Sequence, residues 1–123
     1  MASARSTRLF LQDILDSIGL INEYLEGMTR QEFEENIIVR DALERRIEII
    51  AEAAKHIPAP LREAHPEIPW REVMSMRNFI SHEYFAVNNE SVWNVAQFHL
   101  APLERTVSAM LAELPGEPNR TDQ

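Results

Sequence analysis

The stretch Thr7-Arg8-Leu9-Phe10-Leu11-Gln12-Asp13-Ile14-Leu15-Asp16-Ser17-Ile18-Gly19-Leu20-Ile21-Asn22-Glu23-Tyr24-Leu25-Glu26-Gly27 decides the fold class. Its apolar residues Leu11, Ile14, Ile18, Ile21 and Leu25 recur at steps of three and four, the period of a helix buried along one face. A strand would alternate every second residue. Gly27 stands just past the last turn, where a helix C-terminus favours a residue free to take positive φ. Gly19, inside the run, weakens the helix by about 1 kcal/mol relative to Ala unless close packing needs its missing side chain. The same spacing returns along most of the chain, which predicts an all-α, up-and-down bundle of about four long helices.

Working outward, residues 29–35 read as a short acidic helical turn or loop. A second long helix is expected over residues 37–56, with Ile38, Ala42, Ile47, Ile50, Ala53, Ala54 and Ile57 inward. Pro58, Pro60, Pro66 and Pro69 punctuate a connector that holds at most a short helical turn near residues 61–64. Pro69 suits the first position of a third helix over residues 70–81. Asn88, Asn89, Glu90 and Ser91 offer capping groups before a fourth helix over residues 90–114. Its inward stripe is Val92, Ala96, Leu100, Leu103, Val107, Met110 and Leu114. Pro102 should bend that helix, because it has no N–H for the carbonyl of residue 98. Residues 7–114 form the expected domain, and residues 115–123, with nothing to bury, an expected disordered tail.

The chain has 123 residues, no Cys and a net charge of −8. That is one modest domain, able to fold without staples. Disulfide scaffolds and thiolate zinc sites are excluded. No apolar run is long enough to span a membrane, and the N-terminus lacks a signal-peptide pattern, so a cytoplasmic location is expected. Bulk acidity argues against an indiscriminate polyanion binder. The charge is uneven, however: residues 36–82 hold seven of the twelve bases against seven acids, while both flanking segments are acidic. All the bases except Lys55 are Arg, which suits forked contacts to phosphate or carboxylate.

The densest chemistry lies in Met76-Arg77-Asn78-Phe79-Ile80-Ser81-His82-Glu83-Tyr84-Phe85. An Arg that holds a phosphate and a His that titrates near neutrality are the minimal parts of metal-free RNA cleavage. The imidazole moves a proton at the ribose 2′-oxygen or the leaving 5′-oxygen, and the guanidinium stabilises charge on the phosphoryl oxygens. No cofactor is needed. In an undistorted helix, Arg77 and His82 point about 140° apart. They meet at one atom only if the helix ends or bends near Ser81, or if two molecules contribute across a symmetric interface. Asn78 and His82, four positions apart, are natural hydrogen-bond neighbours, so Asn78 could fix the imidazole tautomer.

The segment Arg77 to Tyr84 resembles the Arg-x4-His-x-Tyr signature of the HepT-like toxins, a branch of the HEPN-domain ribonucleases. The likeness extends over roughly residues 8–114. Tyr24-Leu25-Glu26-Gly27-Met28 resembles the end of the family's first helix, and Arg46 to Lys55 its second. His65-Pro66-Glu67-Ile68-Pro69-Trp70 is similar to the entry to its motif helix, and Val92-Trp93 to its last helix. Ala51 stands where many relatives have Gly, which loosens an expected close helix contact. The resemblance implies a homodimer whose motif helices line a shared cleft, with Arg77 and His82 as the catalytic pair and Asn78 in support. It also implies a type VII-like toxin–antitoxin system, in which a minimal nucleotidyltransferase antitoxin transfers AMP to Tyr84. The added bulk and negative charge would exclude RNA.

Other candidates have plainer explanations. His56 falls where a cation favours a helix C-terminus. His65 and His99 lack a partner at metal-ligand spacing, so no metal site is expected. Ser81, His82 and Glu83 are adjacent and cannot form a relay on a helix. Trp70, Trp93, Met74 and Met76 suit packing. Arg40, Arg45 and Arg46 are further RNA-contact candidates, weighed against surface pairing with Asp41, Glu44 and Glu48. The alternative to a ribonuclease is a non-catalytic helical module that binds the nucleotidyltransferase through the same groove.

Overall fold

A computed structural model describes residues 4–80 and 92–115. The expectations for Ser81 to Ser91, and for the tail from Gly116 onward, lie outside the described residues. Helix α1 (Ala4–Leu25) carries Leu11, Ile14, Ile18 and Ile21 fully buried, as its spacing predicts. Gly27 then takes φ 73°, a left-handed conformation in which a Cβ would be strained. Gly19 has no such requirement. A Cβ built there meets nothing within 4 Å, so Gly19→Ala should stabilise the domain by about 0.5–1 kcal/mol in urea denaturation. A loss of stability would show that this face is packed against something.

Helix α2 (Arg30–Glu35) is a single turn and a half with a complete capping box. The Glu32 amide donates to the Thr29 hydroxyl at 3.1 Å, and the Thr29 amide donates to the Glu32 carboxylate at 2.9 Å. Two otherwise orphaned donors are thereby satisfied. Helix α3 (Ile37–Lys55) begins immediately, its N-cap Asn36 accepting from the Val39 amide. Its buried stripe is Arg40, Leu43, Ile47, Ile50, Ala51, Ala53 and Ala54. The expected stripe was out of phase at its start: Ile38 is 77% exposed and Leu43 is buried instead. Ile37, Ile38 and Val39 are all apolar, so the first turn does not reveal which face is inner.

Helix α4 (Ala59–Glu63) is the short turn expected in the connector. The expected third helix is two pieces, α5 (Trp70–Met74) and α6 (Met76–Ile80), separated at Ser75. The Ser75 hydroxyl donates to the Arg71 carbonyl at 2.6 Å, and the Ser75 amide donates to the Arg71 and Glu72 carbonyls. This back-bonding draws a helical serine into a local turn. From Val95 to His99 the chain forms a π-helical turn, followed by α7 (Leu100–Glu113). Pro102 thus stands in the first turn of α7, directly after the π turn, and has no N–H to offer a carbonyl one turn back. The expected distortion is present, and it takes the form of a wider turn before the proline.

Helix α1 packs on both α3 and α7. Phe10 near its start stacks on His56 at the end of α3, and Arg8 donates to the Pro115 carbonyl beyond the end of α7. Helix α1 is therefore antiparallel to both, which is the up-and-down arrangement. Phe33 of α2 closes one end of the core and meets the Trp93 ring at 5.4 Å. Ile57, Ile68 and Trp70 join the same core from the connector and α5. Among the described residues there is no strand, and no helix is long and apolar enough to cross a membrane.

Candidate active site

The motif begins on α6, and what fixes α6 lies upstream. Pro69 precedes α5, and the Trp70 indole donates to the His65 carbonyl at 3.0 Å. Arg62 of α4 donates through Nε to the Ile57 carbonyl at 3.1 Å and sets Nη1 3.1 Å from the Met74 sulfur. Val73 and Met76 are buried, so α5 and the start of α6 are held on their inner face against α3. The Asn78 amide donates to the Ser75 carbonyl at 2.8 Å, carrying the chain through the break.

Directly after buried Met76, Arg77 and Asn78 are both exposed. The core anchors one side of the turn and leaves these polar groups at the surface, where a phosphate-sized ligand has access to them. His82 and Tyr84 lie outside the described residues.

The other arginines do not share one environment. Arg40 is only 8% exposed. Counting back from Leu43, Ile47 and Ile50 by the three-to-four step lands on Arg40, so periodicity could have placed it on the inner stripe. Glu44, one turn on, has its carboxyl pushed above the usual range by burial and by Asp41, with Arg40 opposing the rise. Arg45 is exposed and meets Glu48 at 3.4 Å, the surface pairing that spacing alone suggests. Arg46 is half-buried.

Beside Met76 runs a groove of about 450 Å³, bounded by Ile68, Glu72 and Val73 on one side and by Val95, His99 and Leu103 on the other. Its wall is apolar, and Glu67 and Glu72 are the acids that line it. Two acids in an otherwise apolar lining disfavour phosphate there, whereas Arg77, the residue after Met76, is an exposed cation. Two histidines outside the motif also have partners. His56 Nε2 lies 3.2 Å from Glu52 at the end of α3, and the His65 ring sits between Glu67 and Glu113. Among the described residues, no group of three or more His, Asp or Glu side chains is placed to hold a metal ion.

Comparison with known proteins settles the family. The family model described as Ribonuclease HepT-like matches residues 14–110. The chain belongs to the HepT-like ribonuclease family. A relative named as a probable ribonuclease HepT, from Thermococcus cleftensis, is 36% identical over 100 residues, covering 81% of this chain and 91% of that one. A protein carrying a candidate RNase name from Caldanaerobacter subterraneus subsp. tengcongensis is 33% identical over 107 residues, 87% of this chain and 96% of the relative. In a Methanocaldococcus jannaschii protein named as both a gamma-glutamylcyclotransferase and a candidate RNase, 110 residues match at 36% identity, 89% of this chain but 50% of that protein. No solved structure matches. The HepT-like match runs from the middle of α1 through most of α7 and includes α6, so the Arg77-to-Tyr84 motif falls within the matched region.

Proposed function

We propose that this HepT-like ribonuclease is a metal-independent endoribonuclease toxin acting in the cytoplasm as a homodimer. In this reading Arg77 and His82 are its catalytic pair and Asn78 is in support. The observation that carries it is the intact Arg-x4-His-x-Tyr motif, with Arg77 and Asn78 exposed at the head of α6, in a chain of this family. The ribose 2′-oxygen attacks the adjacent phosphorus as His82 takes its proton, the bond to the 5′-oxygen breaks, and that oxygen takes a proton from water as it leaves, the His82 proton passing to solvent. The products are a 2′,3′-cyclic phosphate and a 5′-hydroxyl end. Arg77 holds the phosphoryl oxygens as their charge builds. Pairing two subunits places one protomer's Arg77 near its partner's motif, which answers the 140° separation within a single straight helix.

The same proposal gives the chain a minimal nucleotidyltransferase antitoxin that adds AMP to the Tyr84 hydroxyl, placing bulk and negative charge beside the arginine. RNA, as either transfer or messenger RNA, is then kept out by sterics and repulsion. Unmodified protein incubated with transfer RNA in EDTA should cleave it, and no cleavage under those conditions would overturn the metal-independent reading. Co-expression with the nucleotidyltransferase should add one or more AMP masses to the parent and none to Tyr84→Phe. Equal adducts on both would place the modification elsewhere.

A further inference from the structure

The connector ahead of the motif is tied to the last helix through one imidazole. His65 Nε2 lies 3.1 Å from a Glu113 carboxylate oxygen on α7, and Nδ1 lies 3.4 Å from Glu67. The Thr106 hydroxyl of α7 donates to that same Glu67 oxygen at 3.3 Å. The ring side chain is only 13% exposed, although both carboxylates reach solvent. The His65 carbonyl accepts from the Trp70 indole, at the first residue of α5.

A neutral imidazole carries one N–H and can donate to one carboxylate only. The other ring nitrogen then presents a lone pair to an anion, which is repulsive. Acceptors on both nitrogens therefore call for the imidazolium. We propose that His65 is a positioning residue, whose doubly protonated ring clasps the connector to α7 and, through the Trp70 indole, sets where the motif-bearing helices α5 and α6 begin.

The charge balance around the ring agrees with this. The hydrogen bond to Glu113, reinforced by Glu67, holds the His65 pKa above its ordinary value against the opposing effect of burial. Glu67 and Glu113 are the charged groups that bear on the ring, from the connector and from α7 respectively. Glu67 is itself held below the usual carboxylate range, first by its own backbone N–H and then by the His65 ring and the Thr106 hydroxyl. A folded-state pKa above the unfolded value of about 6.5 fixes the sign. The clasp contributes its full stability below about pH 6.5 and loses it as pH rises through the raised folded-state value.

The test compares the parent, His65→Gln and Glu113→Gln, the last a substitution of an exposed carboxylate that keeps the shape of the hydrogen bond. Urea midpoints should fall for the parent as pH rises from about 6 to 8, and both variants should flatten that fall. In the parent, the Trp70 indole proton should shift, and exchange several-fold faster, in step with the His65 titration. Identical pH slopes in all three proteins, or an indole signal indifferent to that titration, would overturn the proposal. An activity arm rests on the ribonuclease reading: His65→Gln should lower kcat for RNA cleavage several-fold with KM nearly unchanged. If the parent cleaves no RNA, that reading fails while the midpoints and the indole signal still decide the clasp.

Discussion

Arg77→Ala is expected to lower RNA cleavage by about two to three orders of magnitude, the usual cost of removing a preorganised donor aimed at developing negative charge. The effect should fall on kcat, because phosphoryl charge grows in the transition state and the guanidinium is worth most there. Stability should change by no more than about 0.5 kcal/mol, since Arg77 is exposed and its neighbours Val73 and Met76 carry the packing. Arg77→Lys keeps the charge but loses the planar fork, so it should recover only part of the rate. His82→Ala should cost about 10²- to 10⁴-fold by removing the proton carrier. The double variant should be little worse than the poorer single one, because both groups serve one step. Variants that cleave as well as the parent, measured with purified protein in EDTA, would remove this pair from the mechanism.

The largest expected effect on stability belongs to Phe33→Ala, at about 3–5 kcal/mol in urea denaturation. Phe33 is fully buried and is the one buried residue of α2. Its ring fills the space between α2 and the start of the last helix, against Trp93. Truncation leaves a cavity that α2 cannot close, because the Thr29 capping box and the Asn36 cap hold it at both ends. Glu34→Ala, one residue away and exposed, removes only a surface pair with Arg30 and should cost less than about 1 kcal/mol. A Phe33→Ala loss no greater than that of Glu34→Ala would mean that α2 is not part of the cooperative core.

The long helices were legible because burial on one face writes a period into the sequence. The α1 stripe is fully buried at Leu11, Ile14, Ile18 and Ile21 and partly buried at Leu25, and the α7 stripe is buried at Leu100, Leu103, Val107 and Met110. Where three apolar residues adjoin, as at Ile37, Ile38 and Val39, the period loses its phase and the inner face is misassigned. The capping box had a signal in Thr29 and Glu32, four residues that read as Ser/Thr-x-x-Glu. The break at Ser75 had none, since neither Gly nor Pro marks it and a serine hydroxyl turning onto Arg71 is a tertiary outcome. For the candidate site, residue types and spacing single out Arg77, Asn78, His82 and Tyr84 as candidates for one chemistry. They do not reveal that Arg77 and Asn78 stay exposed, because that depends on which face the short helix α6 presents to α3; the buried place of Arg40, by contrast, was within reach of the α3 period.

The wide turn at Val95–His99 also acts on helical phase. Along an unbroken α-helix, eight residues rotate by about 800°, which leaves Val92 and Leu100 roughly 80° out of line. A π turn winds more slowly, at roughly 4.4 residues per turn, and five such steps take up close to that whole excess. Val92 and Leu100 are accordingly both 2% exposed, on one face and in line with Leu103 and Val107. The turn therefore works as a rotational spacer between two halves of one rod. Through it, the half that follows the motif meets the core in the orientation its apolar residues require, while Phe98 and His99 are left facing out.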